Sequence, residues 1–516
     1  MRKLLVFLMA AVLLALPAAA KSLTAIVPSR PVMVLYTQNL AVKKAFFVDF
    51  QAELKRQKLT LEDLIELFAG DEKPGDQELD ELKRYLKLFS LDAVGEEGIL
   101  AVYPDGSLLA LARPSARVRE TFFRDLREVL GRTRPMNGWN VKYLDQEGDL
   151  ALIAGYRDGL ALLLVSPNPE DSIALGFLKG DAATGVRLPL AGDVVFYLDA
   201  RPLEPLIQGA AQSLPPRVVN ALLTPKEYAA ALTVVKQGLE SQSRFVLDPE
   251  ADPALAKLLL PENCRPWPLE TFPRAQTVAS YCFSLPEFGD YLSELSAAAG
   301  FELPLDLSAF GDRLALVSLV VPTENPAELM QKPLGDMLLY LEARDDLTAE
   351  TTLMSWLQMF AASSTPEGQG GFEVSRYDVG PYQGKKITLG IGQPVFLFNL
   401  GDRLVLATSE VAAQTLAGPR LKDDPDFARW AGRIPEDAVL ESYSNARGAF
   451  KILGEQLAAT TPLFVEDPEE LPAMMEFNRR LAKFFEFLDQ RLGVSIAYTR
   501  VRGNVRVSEG MTEVRW

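Results

Sequence analysis

The chain repeats itself, and that repetition constrains its fold more than any single motif does. Pro28 to Leu40 (PSRPVMVLYTQNL) and Pro273 to Leu285 (PRAQTVASYCFSL) carry Pro, Tyr and Leu at identical spacing, so Pro28 and Pro273, Tyr36 and Tyr281, and Leu40 and Leu285 are each 245 apart. Four more landmarks follow in the same order. Asp105–Arg113 answers Asp336–Arg344 at an offset of 231, and Gly138-Trp139-Asn140-Val141 answers Gly371-Phe372-Glu373-Val374 at 233. Leu160, after Asp158-Gly159, answers Leu404 at 244, and Asp193–Arg201 answers Asp437–Arg447. The offset dips and returns because extra sequence sits near 58–88 in the first copy and near 345–370 in the second. Five colinear matches favour a duplicated unit over two unrelated domains with similar strand grammar.

Short apolar runs bounded by Gly, Asp or Pro read as strands at Val32–Tyr36, Gly98–Tyr103, Leu108–Ala112, Leu150–Ala154, Leu160–Val165 and Val194–Leu198. Asp105-Gly106 and Asp158-Gly159 lie between such runs and signal hairpins, so the sheets are antiparallel. Val42–Lys58 and Glu78–Phe89 carry helical stripes. Thr224-Pro225-Lys226-Glu227 joins an N-cap, a proline and a glutamate, which predicts a helix with Tyr228, Leu232, Val235 and Leu239 on one stripe before a strand at Ser243–Leu247. Met474, Phe477, Leu481, Phe484 and Leu488 predict a helix that Gly493 stops, followed by a hairpin around Arg502-Gly503-Asn504. The fold expected is α+β, two tandem repeats that are each a mainly antiparallel sheet packed by helices. A cluster of prolines from 249 to 273 marks the junction, giving a first repeat over 21–267 and a second over 268–516.

Met1-Arg2-Lys3, the apolar run Leu4–Leu16 and Ala18-Ala19-Ala20 before Lys21 have the pattern of a secretory signal peptide over 1–20. The apolar run is too short to span a bilayer, and no later stretch reaches eighteen apolar residues, so no transmembrane segment is expected after cleavage. The location implied is extracytoplasmic, either periplasmic or secreted. In that setting the only two cysteines, Cys264 and Cys282, are a candidate disulfide, two free buried thiols being the other reading. A formal charge of −16 disfavours nucleic acid and anionic membrane surfaces and fits a solvated acidic surface.

The chain contains no histidine, which removes the commonest general base and the commonest transition-metal ligand together. G-x-S-x-G and S-x-x-K are absent, and Gly380-Pro-Tyr-Gln-Gly384-Lys385 lacks the spacing and hydroxyl of a phosphate-binding loop. Acidic clusters stand at Asp71-Glu72, Glu170-Asp171, Asp423-Asp424-Pro425-Asp426 and Glu466–Glu470, without EF-hand spacing, and read as solvated turns and helix N-termini. No catalytic, cofactor-binding or metal-binding residue is therefore assigned, and no cofactor is expected.

The P-x7-Y-x3-L openings, the leucine-rich strands around Leu160 and Leu404, and Leu421-Lys-Asp-Asp-Pro425-Asp-Phe427 resemble the exported bacterial domain-of-unknown-function family numbered 3352. The resemblance covers most of the mature chain and implies a signal peptide and a long α+β domain. Asn168-Pro169-Glu170-Asp171 only loosely echoes the Leu421–Phe427 segment, and no catalytic residues come with the family. The function expected is non-enzymatic binding or envelope maintenance, with lipid or an envelope protein as partner and carriage of an apolar ligand or lipoprotein as its most concrete form. A carboxylate-dependent extracytoplasmic hydrolase and a solute-binding protein are the alternatives; the former needs two facing carboxylates in one cleft.

Overall fold

The computed structural model describes residues 22–38, 44–60, 63, 96–147, 150–168, 172–211, 214–261, 264–298, 306–319, 335–364, 372–389, 394–448, 450 and 471–515. They form two compact units. The first runs to Ala210 and resumes over Pro225–Phe245, and the second takes Ala211–Thr224 and Val246–Arg515. Each combines an antiparallel sheet with helices, so the architecture is α+β.

Ten strands belong to the first unit: β1 (Met33–Gln38), β2 (Glu97–Val102), β3 (Leu108–Arg113), β4 (Arg134–Met136), β5 (Trp139–Glu147), β6 (Leu150–Arg157), β7 (Leu160–Ser166), β8 (Val194–Asp199), β9 (Pro225–Val235) and β10 (Gly238–Leu247). Its helices are α1 (Lys44–Arg56), α2 (Arg119–Leu130), α3 (Ile173–Lys179) and α4 (Glu204–Ala210). Across the sheet the order is β10-β9-β8-β1-β2-β3-β7-β6-β5-β4. The central strands are mostly apolar because both faces are covered, and every residue of Leu108–Arg113 is buried. One face packs Tyr36, Ile99, Leu109 and Leu162 against Leu23, Trp139 and Phe177. The other packs Leu100, Leu108 and Ala110 against Phe122, Leu126 and Leu130 of α2.

The second unit holds β11 (Thr277–Cys282), β12 (Phe310–Leu319), β13 (Asp336–Ala343), β14 (Phe372–Val379), β15 (Tyr382–Leu389), β16 (Val395–Asn399), β17 (Arg403–Ala407), β18 (Leu440–Asn445), β19 (Leu492–Arg502) and β20 (Val505–Val514). Its helices are α5 (Pro216–Leu223), α6 (Pro253–Leu259), α7 (Leu285–Ala298), α8 (Asp346–Ser364), α9 (Glu410–Gln414), α10 (Pro425–Ala431) and α11 (Leu471–Arg491). The strands lie in the order β20-β19-β18-β11-β12-β13-β17-β16-β15-β14. Position for position this is the order of the first unit. One face of this sheet packs Leu341, Ile387, Leu397 and Leu404 against Ala349 and Leu353 of α8.

Local chemistry accounts for the turns. Asp158 and Gly159 join β6 to β7 with φ of 46° and 77°, the left-handed pair that a two-residue hairpin requires. Three expectations need correction. Pro225–Val235 and Gly238–Leu247 form a hairpin, not a helix opened by Thr224. Thr224 instead closes α5, its hydroxyl donating to the Asn220 carbonyl, and Ala229 and Ala231 then alternate into the core with the strand period. The Gly138–Val141 and Gly371–Val374 match is also out of place, since Trp139 opens β5 whereas Phe372 opens the outermost strand β14. The Tyr36–Tyr281 match is one residue out of register. Gln38 N donates to Asp193 O and Asp199 N to Val32 O, while the corresponding bonds run from Cys282 N to Val439 O and from Asn445 N to Gln276 O. A one-residue slip reverses a strand's faces. Tyr36 accordingly packs on the Leu23 side, whereas Tyr281 pairs with Leu314, which packs on the α8 side. Helix α1 occupies most of the expected Val42–Lys58 span, and the expected Glu78–Phe89 helix lies outside the described residues.

Candidate functional site

Each unit carries an open cleft at one end of its sheet. In the first unit, a cleft of about 860 Å³ is lined by Pro28–Arg30, Pro104, the start of α3, Asp181–Ala183, and Asp199, Arg201 and Pro202. One backbone and two side-chain hydrogen bonds fix its walls. Ser29 N donates to Ala183 O at 2.8 Å, Tyr103 OH donates to Pro28 O at 3.2 Å, and Asp105 accepts from Ile173 N at 2.7 Å. Burial pushes the Tyr103 hydroxyl pKa far up, so it stays a neutral donor.

The floor of this cleft is prolyl and aliphatic, through Pro28, Pro104, Ile173, Ala182 and Pro202. Its charges divide into two kinds. Arg201 is committed: it reaches Asp199 through Nε at 2.8 Å and Nη2 at 2.9 Å, and Glu227 at 2.7 Å. The hydrogen bonds to Asp199 raise the Arg201 pKa further. Arg30 and Asp181 are exposed and have no charged partner among the described residues. Arg30 is also held at a φ of 62°, a left-handed conformation uncommon for a residue with a side chain, and Pro31 follows it. Backbone strain of this kind persists where the surroundings over-determine it and concentrates at ligand-binding positions.

In the second unit, a cleft of about 900 Å³ has two walls. One is drawn from Pro249–Pro261 and Cys264-Arg265, with α6 and three lining prolines; the other takes Ser284, Glu287, Asp312, Arg313 and Glu342, and Gly503-Asn504 closes one end. The Cys264–Cys282 disulfide joins the first wall to β11, with Cα atoms 5.8 Å apart. All three carboxylates of this cleft are engaged. Glu287 pairs with Lys257, Glu342 accepts from Arg313 Nε at 2.9 Å, and Asp312 pairs with Arg344 at 3.1 Å. Arg313 also stacks on Trp267, whose other guanidinium neighbour is Arg403, at 4.9 and 4.7 Å from the ring. Arg265 is exposed and has no acidic partner among the described residues.

The proline-rich segment before residue 268, expected to end the first repeat, packs within the second unit. Of the acidic clusters, Asp71-Glu72, Glu170-Asp171 and Glu466–Glu470 lie outside the described residues. Asp424 caps α10 by accepting from Asp426 N and Phe427 N and pairs with Arg274 at 2.7 Å, while Asp426 binds Arg429 and, at 3.0 Å, Arg447. Among the described residues no group of three or more Cys, Asp and Glu is placed to hold a metal ion. Sequence reasoning missed Arg30 and Arg265. A signal was available, because both are loop arginines followed directly by proline, where no helix or sheet employs them.

No family model and no curated protein matches the chain. Among solved structures, crystal form I of TP0453 is 11% identical with a TM-score of 0.24, over 58% of this chain and 92% of that one. Crystal form III is 12% identical with a TM-score of 0.22, over 48% and 90%. Nothing about this chain follows from likeness at that level.

Proposed function

We propose that the chain is an exported, non-enzymatic binding protein built from two copies of one α+β unit, carrying an amphiphilic ligand in the cleft of the first. Duplication is supported by the identical ten-strand order. It is supported further by matching details before and between strands. Short 3₁₀ turns at Leu23–Ala25 and Leu269–Thr271 each begin with a buried leucine, isolated bridges pair Pro28 with Thr184 and Pro273 with Arg420, and Ser172 and Ser409 cap α3 and α9. Export is supported by the leader-like N-terminus and the disulfide. Among the described residues no helix is long and apolar enough to cross a membrane.

The observation that carries the ligand is the first unit's floor of Pro, Ile and Ala beneath one uncommitted cation, Arg30, and one uncommitted anion, Asp181. Such a floor takes a hydrocarbon chain, and the two charges suit a head group bearing both signs. A lipid, or the lipid of an envelope lipoprotein, has this chemistry. A hydrolase would instead need one carboxyl kept protonated by apolar surroundings beside an ionised partner. Here Asp199 is clamped by Arg201 and Asp181 is exposed. Native mass spectrometry of the mature protein, with and without an added zwitterionic lysophospholipid, tests the reading. Retention of one lipid, weakened in Arg30→Gln and Asp181→Asn, is the expected result; no retained lipid of any head group overturns it.

A further inference from the structure

The second unit's cleft differs from the first in its charge balance, and that difference points to another ligand. Its three carboxylates are each answered by a cation, through Lys257–Glu287, Arg313–Glu342 and Arg344–Asp312. What is left over is the guanidinium of Arg265. The lining prolines stiffen the wall that carries it, and Pro266 restricts the backbone at Arg265 itself. The neighbouring residue, Cys264, is bonded to Cys282 on β11, so this wall cannot drift from the sheet. Across the cleft, the turn at Gly503 faces open space: a Cβ placed there would meet nothing within 4 Å.

We propose that this cleft is a separate binding site for a small polar ligand bearing one carboxylate or phosphate group, with Arg265 as its anion anchor and the Cys264–Cys282 bridge as the clasp that holds the anchor in position. A guanidinium presents a planar fork of donors that matches either oxyanion, and a fork already held in place loses less freedom on binding. Lys257 cannot take this role without giving up Glu287, and Arg313 is fixed by both Glu342 and Trp267. The site is independent of the first unit's lipid reading, since the three carboxylates that line it are each paired with a cation.

Isothermal titration of the full mature protein tests the site with three probes: inorganic phosphate, an N-acetyl dipeptide with a free carboxylate, and the same dipeptide amidated. Saturable binding of phosphate or of the free carboxylate at one site per chain is expected, weakening with added salt and absent for the amide; which of the two binds tighter identifies the source of the anion. Arg265→Gln lowers that affinity about 10- to 100-fold, whereas Arg132→Gln, at an exposed arginine that lines neither cleft, leaves it unchanged. The Cys264→Ser/Cys282→Ser double variant, with its folding confirmed by circular dichroism, binds several-fold more weakly. No saturable binding of either anion, or equal binding by Arg265→Gln, overturns the site, and full affinity in the double serine variant overturns the clasp.

Discussion

Glu97 supports the sharpest test of how the first unit is held together. Its carboxylate is buried on β2, ion-paired to buried Arg113 of β3, and also accepts from Ser22 Oγ at 2.7 Å, Leu23 N at 2.7 Å and Tyr36 OH at 3.0 Å. One side chain therefore fastens the 3₁₀ turn before β1 onto three strands. Glu97→Ala removes the carboxylate that is ion-paired to the Arg113 guanidinium, a side chain only 6% exposed. Breaking a buried pair from one side costs about 3–5 kcal/mol, and the orphaned Leu23 amide adds about 1 kcal/mol or more. The expected loss is about 4–6 kcal/mol, a large fraction of the roughly 5–15 kcal/mol of a typical domain. Glu97→Gln retains an acceptor for Leu23 and Tyr36 and loses about half as much. Pairing Glu97→Ala with Arg113→Met restores part of the loss, because an apolar side chain needs no counter-ion. Hydrogen exchange of peptides spanning β2 and β3, read by mass spectrometry through a urea series, measures each opening free energy. A drop below about 1 kcal/mol in Glu97→Ala would refute the idea that this buried pair pins the N-terminal turn.

Three other outcomes are accessible to simple assays. Burial pushes the hydroxyls of Tyr36, Tyr197 and Tyr443 up to about 12, so the folded state favours their neutral forms. Stability from them is complete below pH 10 and lost as pH climbs toward 12; absorbance at 295 nm should show at least five phenolates missing at pH 11 that appear on unfolding, theirs together with those of the more deeply buried Tyr103 and Tyr340. Hydrogen bonds from Arg479 and Arg480 draw Glu476 down to about 2, so its support of α11 persists above pH 4.5 and fades as pH falls through 2; Glu476→Gln should remove that acid dependence of helicity. Asp424→Ala uncaps α10 and strands Arg274, with an expected loss of about 1–3 kcal/mol by urea denaturation, while Asp424→Asn retains most of the cap.

What the residues announce depends on whether the signal is local. Asp158-Gly159 is legible as a hairpin because its two left-handed φ values have few other uses, and Met474–Leu488 is legible because five apolar residues hold one helical stripe over four turns. The Thr224–Glu227 pattern misleads for the same reason it attracts: a cap, a proline and a stripe every fourth residue fit a helix in isolation. Pairing with β8 overrides them, with Tyr228 opposite Leu198 and Ala230 opposite Phe196. The strand order common to the two units is foreshadowed by their matching segments, yet a tyrosine match one residue out of register cannot be detected without the ladder. The clefts are less legible still. Their lining comes from segments as far apart as Pro249 and Asn504, and the charges that matter are those left over after pairing, a remainder that exists only once every partner is placed.

The two units end in unlike outer strands. β4 has three residues and includes Pro135, which offers no amide, so a passing extended chain finds almost nothing to pair with. β14 runs for eight residues without proline and, among the described residues, hydrogen-bonds only β15. Its protection is electrostatic, through Glu373, Arg376 and Asp378, with Val374 left 42% exposed between them. The gatekeeping of one edge is thus built into the backbone, while that of the other can be switched off by salt or by neutralising three side chains. Fibril formation in concentrated salt should begin at β14, and Val374→Pro, at a position whose amide faces away from β15, would give it the same covalent protection.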